Sequence, residues 1–264
     1  MLTIEQVSKV FYPGTVNEKT AIEYLNLTVK DGDFITVVGS NGSGKSTLFN
    51  LIAGTYPVTG GSIVLNDKDV TNTPEFRRAF TIGRIFQDPT KGTAAKMSIE
   101  DNMVTALHKG MKGLKISLNA KVREEFKKEL SQLHMGLEDR LKDNVGLLSG
   151  GQRQALTLLM TVLSRPQMLL LDEHTAALDP RNAQIVMDLT TKFINQYKLT
   201  SLMVTHNMQH AIDFGNRLIM MDEGKIILDL TAEEKQSLTV PKLVQKFKSI
   251  KNKEYASDED LLVT

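Results

Sequence analysis

The chain has no cysteine and no tryptophan in 264 residues, and 6% of it is aromatic. The missing cysteines exclude disulfides, a cysteine nucleophile, iron–sulfur clusters and Cys-based zinc sites, a usage that fits a reducing compartment. Neither sign of charge dominates, because 32 Lys+Arg against 31 Asp+Glu leave a formal +1. Nothing therefore suggests a strongly basic nucleic-acid surface. No apolar run approaches the roughly 20 residues of a membrane span. The first residues, Met1-Leu2-Thr3-Ile4-Glu5, show no basic segment followed by an apolar stretch, so no signal peptide is expected. No internal repeat or long heptad array is present. At 41% hydrophobic residues, the length suits one large α/β domain, or a core with a smaller lobe.

What is present centres on Gly39-Ser40-Asn41-Gly42-Ser43-Gly44-Lys45-Ser46-Thr47, which fits G-x-x-x-x-G-K-[ST], the phosphate-binding P-loop. Its flanks agree. Phe34–Val38 is a β-branched run of the kind a buried strand needs, and Leu48–Ala53 is apolar at helical spacing with Gly54 as a stop signal. Glycines let the backbone curl so that successive N–H groups face an anion. The positive end of the following helix faces the same anion. Lys45 is a point charge within reach of the β- and γ-phosphates, and the Ser46 hydroxyl is a hard oxygen ligand suited to Mg²⁺.

The rest of the chain reads as alternating strands and helices. Leu2, Ile4 and Val7, then Ile22, Leu25, Leu27 and Val29, mark strands around a turn at Pro13-Gly14, and Asp31-Gly32-Asp33 is a second turn. Phe11 and Tyr12 suit edge-strand packing, or stacking on adenine beside a nucleotide site. Thr59-Gly60-Gly61 predicts a turn before a strand over Ser62–Leu65. Ile82–Phe86 predicts a buried strand that ends at Gln87-Asp88-Pro89. A glutamine there can offer its carbonyl to Mg²⁺, or be an ordinary polar loop residue. Helical spacing appears over Ile99–Leu107 and over the charged, amphipathic Lys121–Leu133, with Phe126, Leu130 and Leu133 on one face. Lys109–Gly113 reads as a flexible connection, and residues 90–147 as a small helical lobe inserted into the core.

Leu148-Ser149-Gly150-Gly151-Gln152-Arg153-Gln154 precedes an apolar helix over Ala155–Leu163, closed by Pro166. It is either a second helix N-terminus able to take a phosphate or an ordinary serine cap. Met168–Leu171 is an apolar strand delivering Asp172 and Glu173 at its C-terminal end, where open α/β sheets place ligand residues. Asp172 suits a Mg²⁺-associated role, and Glu173 can accept a proton from water. The strand Thr200–Thr205 ends in His206, which can hydrogen-bond a γ-phosphate. His108, His134 and His210 read as surface or structural residues. Arg217–Met221 and Lys225–Asp229 form a hairpin around Asp222-Glu223-Gly224. Leu243, Val244, Phe247 and Ile250 make one apolar helix face expected to pack on the domain.

Together these segments resemble the nucleotide-binding subunit of ABC transporters over about residues 2–230. The most specific part is Leu148–Gln154, which matches the family signature LSGGQ followed by RQ, a pattern that P-loop ATPases of other families lack. The resemblance implies an α/β fold: a RecA-like P-loop NTPase core with an antiparallel β subdomain and an inserted α-helical subdomain. The domain would span 1–250, with the helical part at about 90–163, followed by a polar tail over 251–264. It implies ATP and Mg²⁺ as ligands. Phe11, after Ser8-Lys9-Val10, matches the adenine-stacking aromatic, with Tyr12 as the fallback. Gly39, Ser40, Asn41, Gly42, Ser43, Gly44, Lys45, Ser46 and Thr47 would hold the phosphates, and Ser46, Gln87 and Asp172 the metal. Glu173 looks like the catalytic glutamate, assisted by His206, Gln87 and Lys45. Ser149, Gly150, Gly151 and Gln152, with Asp179 of the D-loop Ala176-Ala177-Leu178-Asp179, would close over the nucleotide of a second subunit.

The function so implied is ATP hydrolysis coupled to import of a small solute, amino acids among the candidate classes. The expected partners are integral membrane permease subunits, an extracellular or periplasmic substrate-binding protein, and a second copy or a related ATPase subunit, with no nucleic acid. The expected place is the cytoplasmic face of a bacterial membrane. A soluble ABC-type ATPase acting on nucleic acid or ribosomes is the alternative, and a small-molecule kinase would leave the signature unexplained. Two departures stand out. His174 occupies a position where the family commonly has proline, and Thr157–Leu163 lacks the usual Ala-Arg-Ala run. Neither removes a ligand group. The segment His174–Pro180 resembles a subgroup that accompanies branched-chain-amino-acid and ribose-type permeases, some of them associated with aromatic amino acids. Lys45→Ala should abolish tight ATP binding in a direct titration; unchanged affinity would count against the P-loop assignment.

Overall fold

The computed structural model describes residues 1–107 and 118–250. His108, the connection at Lys109–Gly113 and the tail over 251–264 lie outside the described residues. In chain order the elements are β1 (Leu2–Phe11), β2 (Lys19–Val29), β3 (Phe34–Gly39), α1 (Lys45–Ala53), β4 (Gly60–Leu65), β5 (Lys68–Asp69), α2 (Glu75–Arg78) and β6 (Ile82–Ile85). There follow α3 (Ile99–Leu107), α4 (Ala120–Ser131), α5 (Gly150–Leu163), β7 (Met168–Asp172), α6 (Pro180–Tyr197), β8 (Thr200–Val204), α7 (Met208–Asp213), β9 (Arg217–Asp222), β10 (Lys225–Leu230) and α8 (Ala232–Gln236). Residues 240–250 are also helical. The chain divides into two compact units, one of residues 1–72 together with those from Leu202 on, the other Thr73–Ser201. Among the described residues no helix is long and apolar enough to cross a membrane.

In the first unit an antiparallel sheet runs β2-β1-β4-β5. Strand β1 pairs Leu2 with Val29 and Ile4 with Leu27 on one side, and Ile4 with Ile63 on the other. Ile4 and Val7 are both buried although three residues apart, which a regular period of two forbids. The ladder slips between them, and Gln6 has φ 48°, so a bulge returns Val7 to the core face. The strand predicted from Ser62 starts earlier, at Gly60, because Gly60 already pairs with Ser8.

The unit's other strands run β10-β9-β3-β8. Phe34 to Val38 are all buried, as expected of a parallel strand covered on both faces. The one polar member, Thr36, donates its hydroxyl to the Ala211 carbonyl at 2.8 Å. Helix α1 starts after Gly44 and stops at Gly54, both left-handed, and buries Leu48, Phe49, Leu51 and Ile52. The helical face at 240–250 is narrower than expected: Leu243 is buried and Phe247 packs on the core with Leu218 and Leu238, but Val244 is 37% exposed.

In the second unit β6 and β7 are parallel neighbours, with Ile82 opposite Met168 and Ile85 opposite Leu171. Helix α5 begins at Gly150, five residues before the apolar run that predicted it. It buries Gly151, every residue from Arg153 to Met160, and Val162, as a helix packed on several sides must. Around it lie α3, α4 and α6. Helix α4 keeps its amphipathic reading, with Phe126 and Leu130 buried and Asn119 capping its start. Glu100 of α3 is buried against Arg123, whose Nε and Nη2 donate to the two carboxylate oxygens at 2.8 and 3.2 Å.

The helix that follows the P-loop depends on its apolar face. Phe49→Ala, at a fully buried position, should cost about 3–5 kcal/mol of stability, read as a shift in the urea midpoint at unchanged slope.

Candidate functional site

In the first unit, β3 ends at Gly39 and α1 opens at Lys45, so the P-loop bridges a buried strand and a helix N-terminus as its spacing predicts. Crowding dictates the glycines. A Cβ on Gly39 would lie 2.2 Å from the Met221 carbonyl oxygen, and one on Gly44, at φ 102°, would lie 2.8 Å from the Ala21 oxygen and Ile22 Cδ1. The loop is braced from outside. Ser40 Oγ donates to Asp222 Oδ1 at 2.8 Å, and the Gly224 amide donates to the Ser43 carbonyl at 3.1 Å. Lys45 is buried, its Nζ donating to the carbonyls of Gly39 and Ser40 at 2.9 and 2.8 Å. Asn41, Gly42 and Ser46 are exposed and Thr47 half-buried. The first turn of α1 carries no acidic residue, which leaves the positive end of the helix uncompensated for an anion.

Phe11 and Tyr12 are not equivalent. The Phe11 ring packs edge-on against Tyr56 at 5.3 Å, with Lys9 Nζ 5.1 Å from its centroid. Tyr12, at φ 52°, is 68% exposed. His206 follows β8 and is exposed. His134 is exposed and His210 half-buried; burial holds the His210 imidazole below its ordinary value, against the pull of Asp213.

In the second unit, Asp172 ends β7 and meets a partner that the sequence reading passed over. Arg84 of β6 places Nη2 2.9 Å from Asp172 Oδ2, and its guanidinium stands 4.7 Å from the Phe86 ring. The available signal was a single charge inside the apolar run Ile82–Phe86. Glu173 adopts φ 49°, and its carbonyl accepts from the Ala176 amide at 2.9 Å. Gln87 is exposed just after β6. Beside it, the Asp88 carboxyl is held below the ordinary range by the backbone and then the side chain of Thr90.

Ser149 is a helix cap. Its Oγ accepts from the Gln152 amide at 3.2 Å, while Gln152 Oε1 accepts from the Ser149 amide at 3.1 Å. This reciprocal pair satisfies two backbone donors at the start of α5. Of the signature glycines, Gly151 is dictated by its neighbour, since a Cβ there would lie 2.7–2.9 Å from the Asn182 side chain, whereas one on Gly150 would meet Leu178 at 3.4 Å, near ordinary contact. Asn182 is tied by Nδ2 to Asp179 Oδ2 at 2.6 Å, and Asp179 caps α6 through the Asn182 amide. Those bonds, the backbone one first, lower the Asp179 carboxyl below its usual range. The second unit thus brings Asp179 and Leu178 against Gly150 and Gly151, a contact mediated by Asn182 that spacing alone does not announce.

The model of the ABC transporter family matches residues 22–176, more than half of the chain. The chain belongs to the ABC transporter family. It is 42% identical over 248 residues to the tyrosine transport ATP-binding protein of Clostridioides difficile (strain R20291), covering 94% of this chain and 98% of that protein. The phosphonates import ATP-binding protein of Lactococcus lactis is 30% identical over 240 residues, covering 89% and 94%. Among solved structures, a nucleotide-free ATP-binding cassette from an ABC transporter superposes with a TM-score of 0.75 at 26% identity, over 94% of this chain and 98% of that one. The expected P-loop fold with its antiparallel and helical parts is therefore the fold observed, and the chain is an ABC ATPase subunit whose ATP hydrolysis drives transport. The alternative of a non-transport ATPase falls away.

Because Gly151 has no room, Gly151→Ala in this ABC subunit should lower stability by about 1–3 kcal/mol through overpacking. Adding Asn182→Ala should recover most of the loss in urea unfolding. A neutral Gly151→Ala would show that the contact with Asn182 is loose.

Proposed function

We propose that this ABC ATPase powers uptake of an amino acid into a bacterial cell, working on the cytoplasmic face of the membrane, with tyrosine the first substrate to test. The observation that carries this reading is the 42% identity, over nearly the full length of both chains, to a tyrosine transport ATP-binding protein. The segment His174–Pro180 is compatible with this class through its resemblance to a subgroup that accompanies branched-chain-amino-acid and ribose-type permeases, some associated with aromatic amino acids. Permease subunits and an extracellular substrate-binding protein complete the machine.

In this reading Lys45 and the P-loop amides bind the triphosphate, and the base lies on the Phe11–Tyr12 pair. Tyr12 offers the more open ring, since Phe11 is packed against Tyr56 and Lys9. The Ser46 hydroxyl, the Gln87 amide oxygen and the Asp172 carboxylate are hard oxygen donors, the set that Mg²⁺ prefers. Mg²⁺, when bound, offsets phosphate charge. Glu173 takes the proton of the attacking water, and His206 hydrogen-bonds the γ-phosphate. Ser149, Gly150, Gly151 and Gln152, with Asp179, are presented to the nucleotide of a second copy. Binding then closes a homodimer, and hydrolysis releases it.

The test is direct. The complex co-purified from membranes with its permease subunits and reconstituted with its binding protein should hydrolyse ATP several-fold faster with L-tyrosine, and not with spermidine or a phosphonate. Stimulation by one of the latter two alone would overturn the assignment.

A further inference from the structure

Glu173 has a backbone conformation that its immediate sequence does not impose. Its φ of 49° lies in the left-handed region, which a residue with a long side chain adopts only under constraint. A proline in the next position would push Glu173 toward extended backbone, away from this region, through the clash of its ring with the preceding residue. His174 stands there instead, and its backbone carries no such restriction. The Ala176 amide on the Glu173 carbonyl closes the turn locally, and the second unit adds tertiary contacts around His174.

The imidazole is 1% exposed, with Nε2 3.0 Å from Thr190 Oγ1 on α6. The direction of this bond follows from the hydroxyl. Thr190 has one hydrogen to give, and the Val186 carbonyl, 2.7 Å away, can only accept it. The hydroxyl oxygen must therefore accept from His174, which places the ring hydrogen on Nε2. The carbonyl of the same residue is held from the opposite side. Gln154 of α5, itself 1% exposed, donates from Nε2 to the His174 carbonyl at 2.7 Å and to the Phe86 carbonyl at 3.0 Å. Two acceptors at that nitrogen fix which way the amide faces, because a flipped amide would set oxygen against oxygen. His174 is thus gripped at its ring by α6 and at its carbonyl by α5.

We propose that His174 is a positioning residue for ATP hydrolysis: its buried hydrogen bond to Thr190, with Gln154 on its carbonyl, holds Glu173 in the left-handed conformation that aims its carboxylate. The inference rests on Glu173 acting as the general base. It gives the bond a role in hydrolysis rather than in nucleotide affinity.

Three variants of the full-length chain test it. Thr190→Val keeps volume and branching but removes the acceptor. His174→Phe keeps a ring and removes the donor. His174→Gln places an amide donor close to where Nε2 stands. Thr190→Val and His174→Phe should lower kcat for ATP at least about tenfold with KM within about twofold, while His174→Gln should keep roughly a third of kcat or more. Wild-type kcat in Thr190→Val and His174→Phe, a change confined to KM, or a His174→Gln as impaired as His174→Phe would overturn the proposal. Should His174→Phe lose its thermal unfolding transition, Thr190→Val and His174→Gln decide the matter alone. Glu173→Gln is the control and should bind ATP but turn over at least about a hundredfold more slowly. Normal turnover in that control removes the general base itself. An inactive control beside normal Thr190→Val and His174→Phe removes only the positioning role.

Discussion

At Gly39 two backbones meet where no side chain fits, and the nucleotide loop takes its shape from that approach. Gly39 is the last residue of β3 and stands in register with Met221 of β9. At φ 153° a Cβ on Gly39 would be turned onto the Met221 carbonyl oxygen, 2.2 Å away. At the far end of the loop, Gly44 is crowded by Ala21, Ile22 and Gly224. Between these points, Ser40 is bonded to Asp222, and Ser43 to the amide of Gly224. The loop is clamped by the β9–β10 turn as well as by its own helix. A loop held in this way has already lost its conformational freedom, so a ligand that binds it does not have to supply the ordering energy.

Whatever depended on local pattern was legible in the chain. Strand β3, helix α1 and the P-loop between them follow from a β-branched run, a glycine-rich turn and a 3.6-residue apolar period. Helices α3 and α4 were found the same way. The signature and the acids after β7 were legible as motifs. What escaped involves residues far apart in sequence. Arg84 meets Asp172 across neighbouring strands 88 positions apart, and Gln154 reaches Phe86 and His174 over 68 and 20 positions. The apolar run marked α5 only from Ala155, because Gly150 and Gly151 in its first turn carry no apolar side chain. They are tolerated in the first turn, where the capping pair of Ser149 and Gln152 satisfies the backbone, and Gly151 is required there by Asn182. Val244 has the right spacing for a buried face, but the core offers only enough surface for Leu243 and Phe247.

Several of the polar side chains buried in the second unit bond to the main chain. Arg153 donates to the Val145 carbonyl, Thr157 to the Arg153 carbonyl and Gln154 to two carbonyls at once. Side chains committed to main-chain acceptors fix the position of a segment whatever sequence that segment carries. Buried bonds of this type are costly to leave half-made, and that cost is what makes them specific.

Ser149 shows how one hydroxyl can satisfy two descriptions that look exclusive. As a cap it uses a lone pair, accepting the Gln152 amide. An anion would require the other end of the same group, its O–H. Capping therefore leaves the hydrogen available, and by drawing electron density from the oxygen it makes that hydrogen a better donor. Capping the start of a helix is thus compatible with the phosphate contact proposed for this serine, and threonine or serine could serve where aspartate, an equally good cap, would present only negative charge.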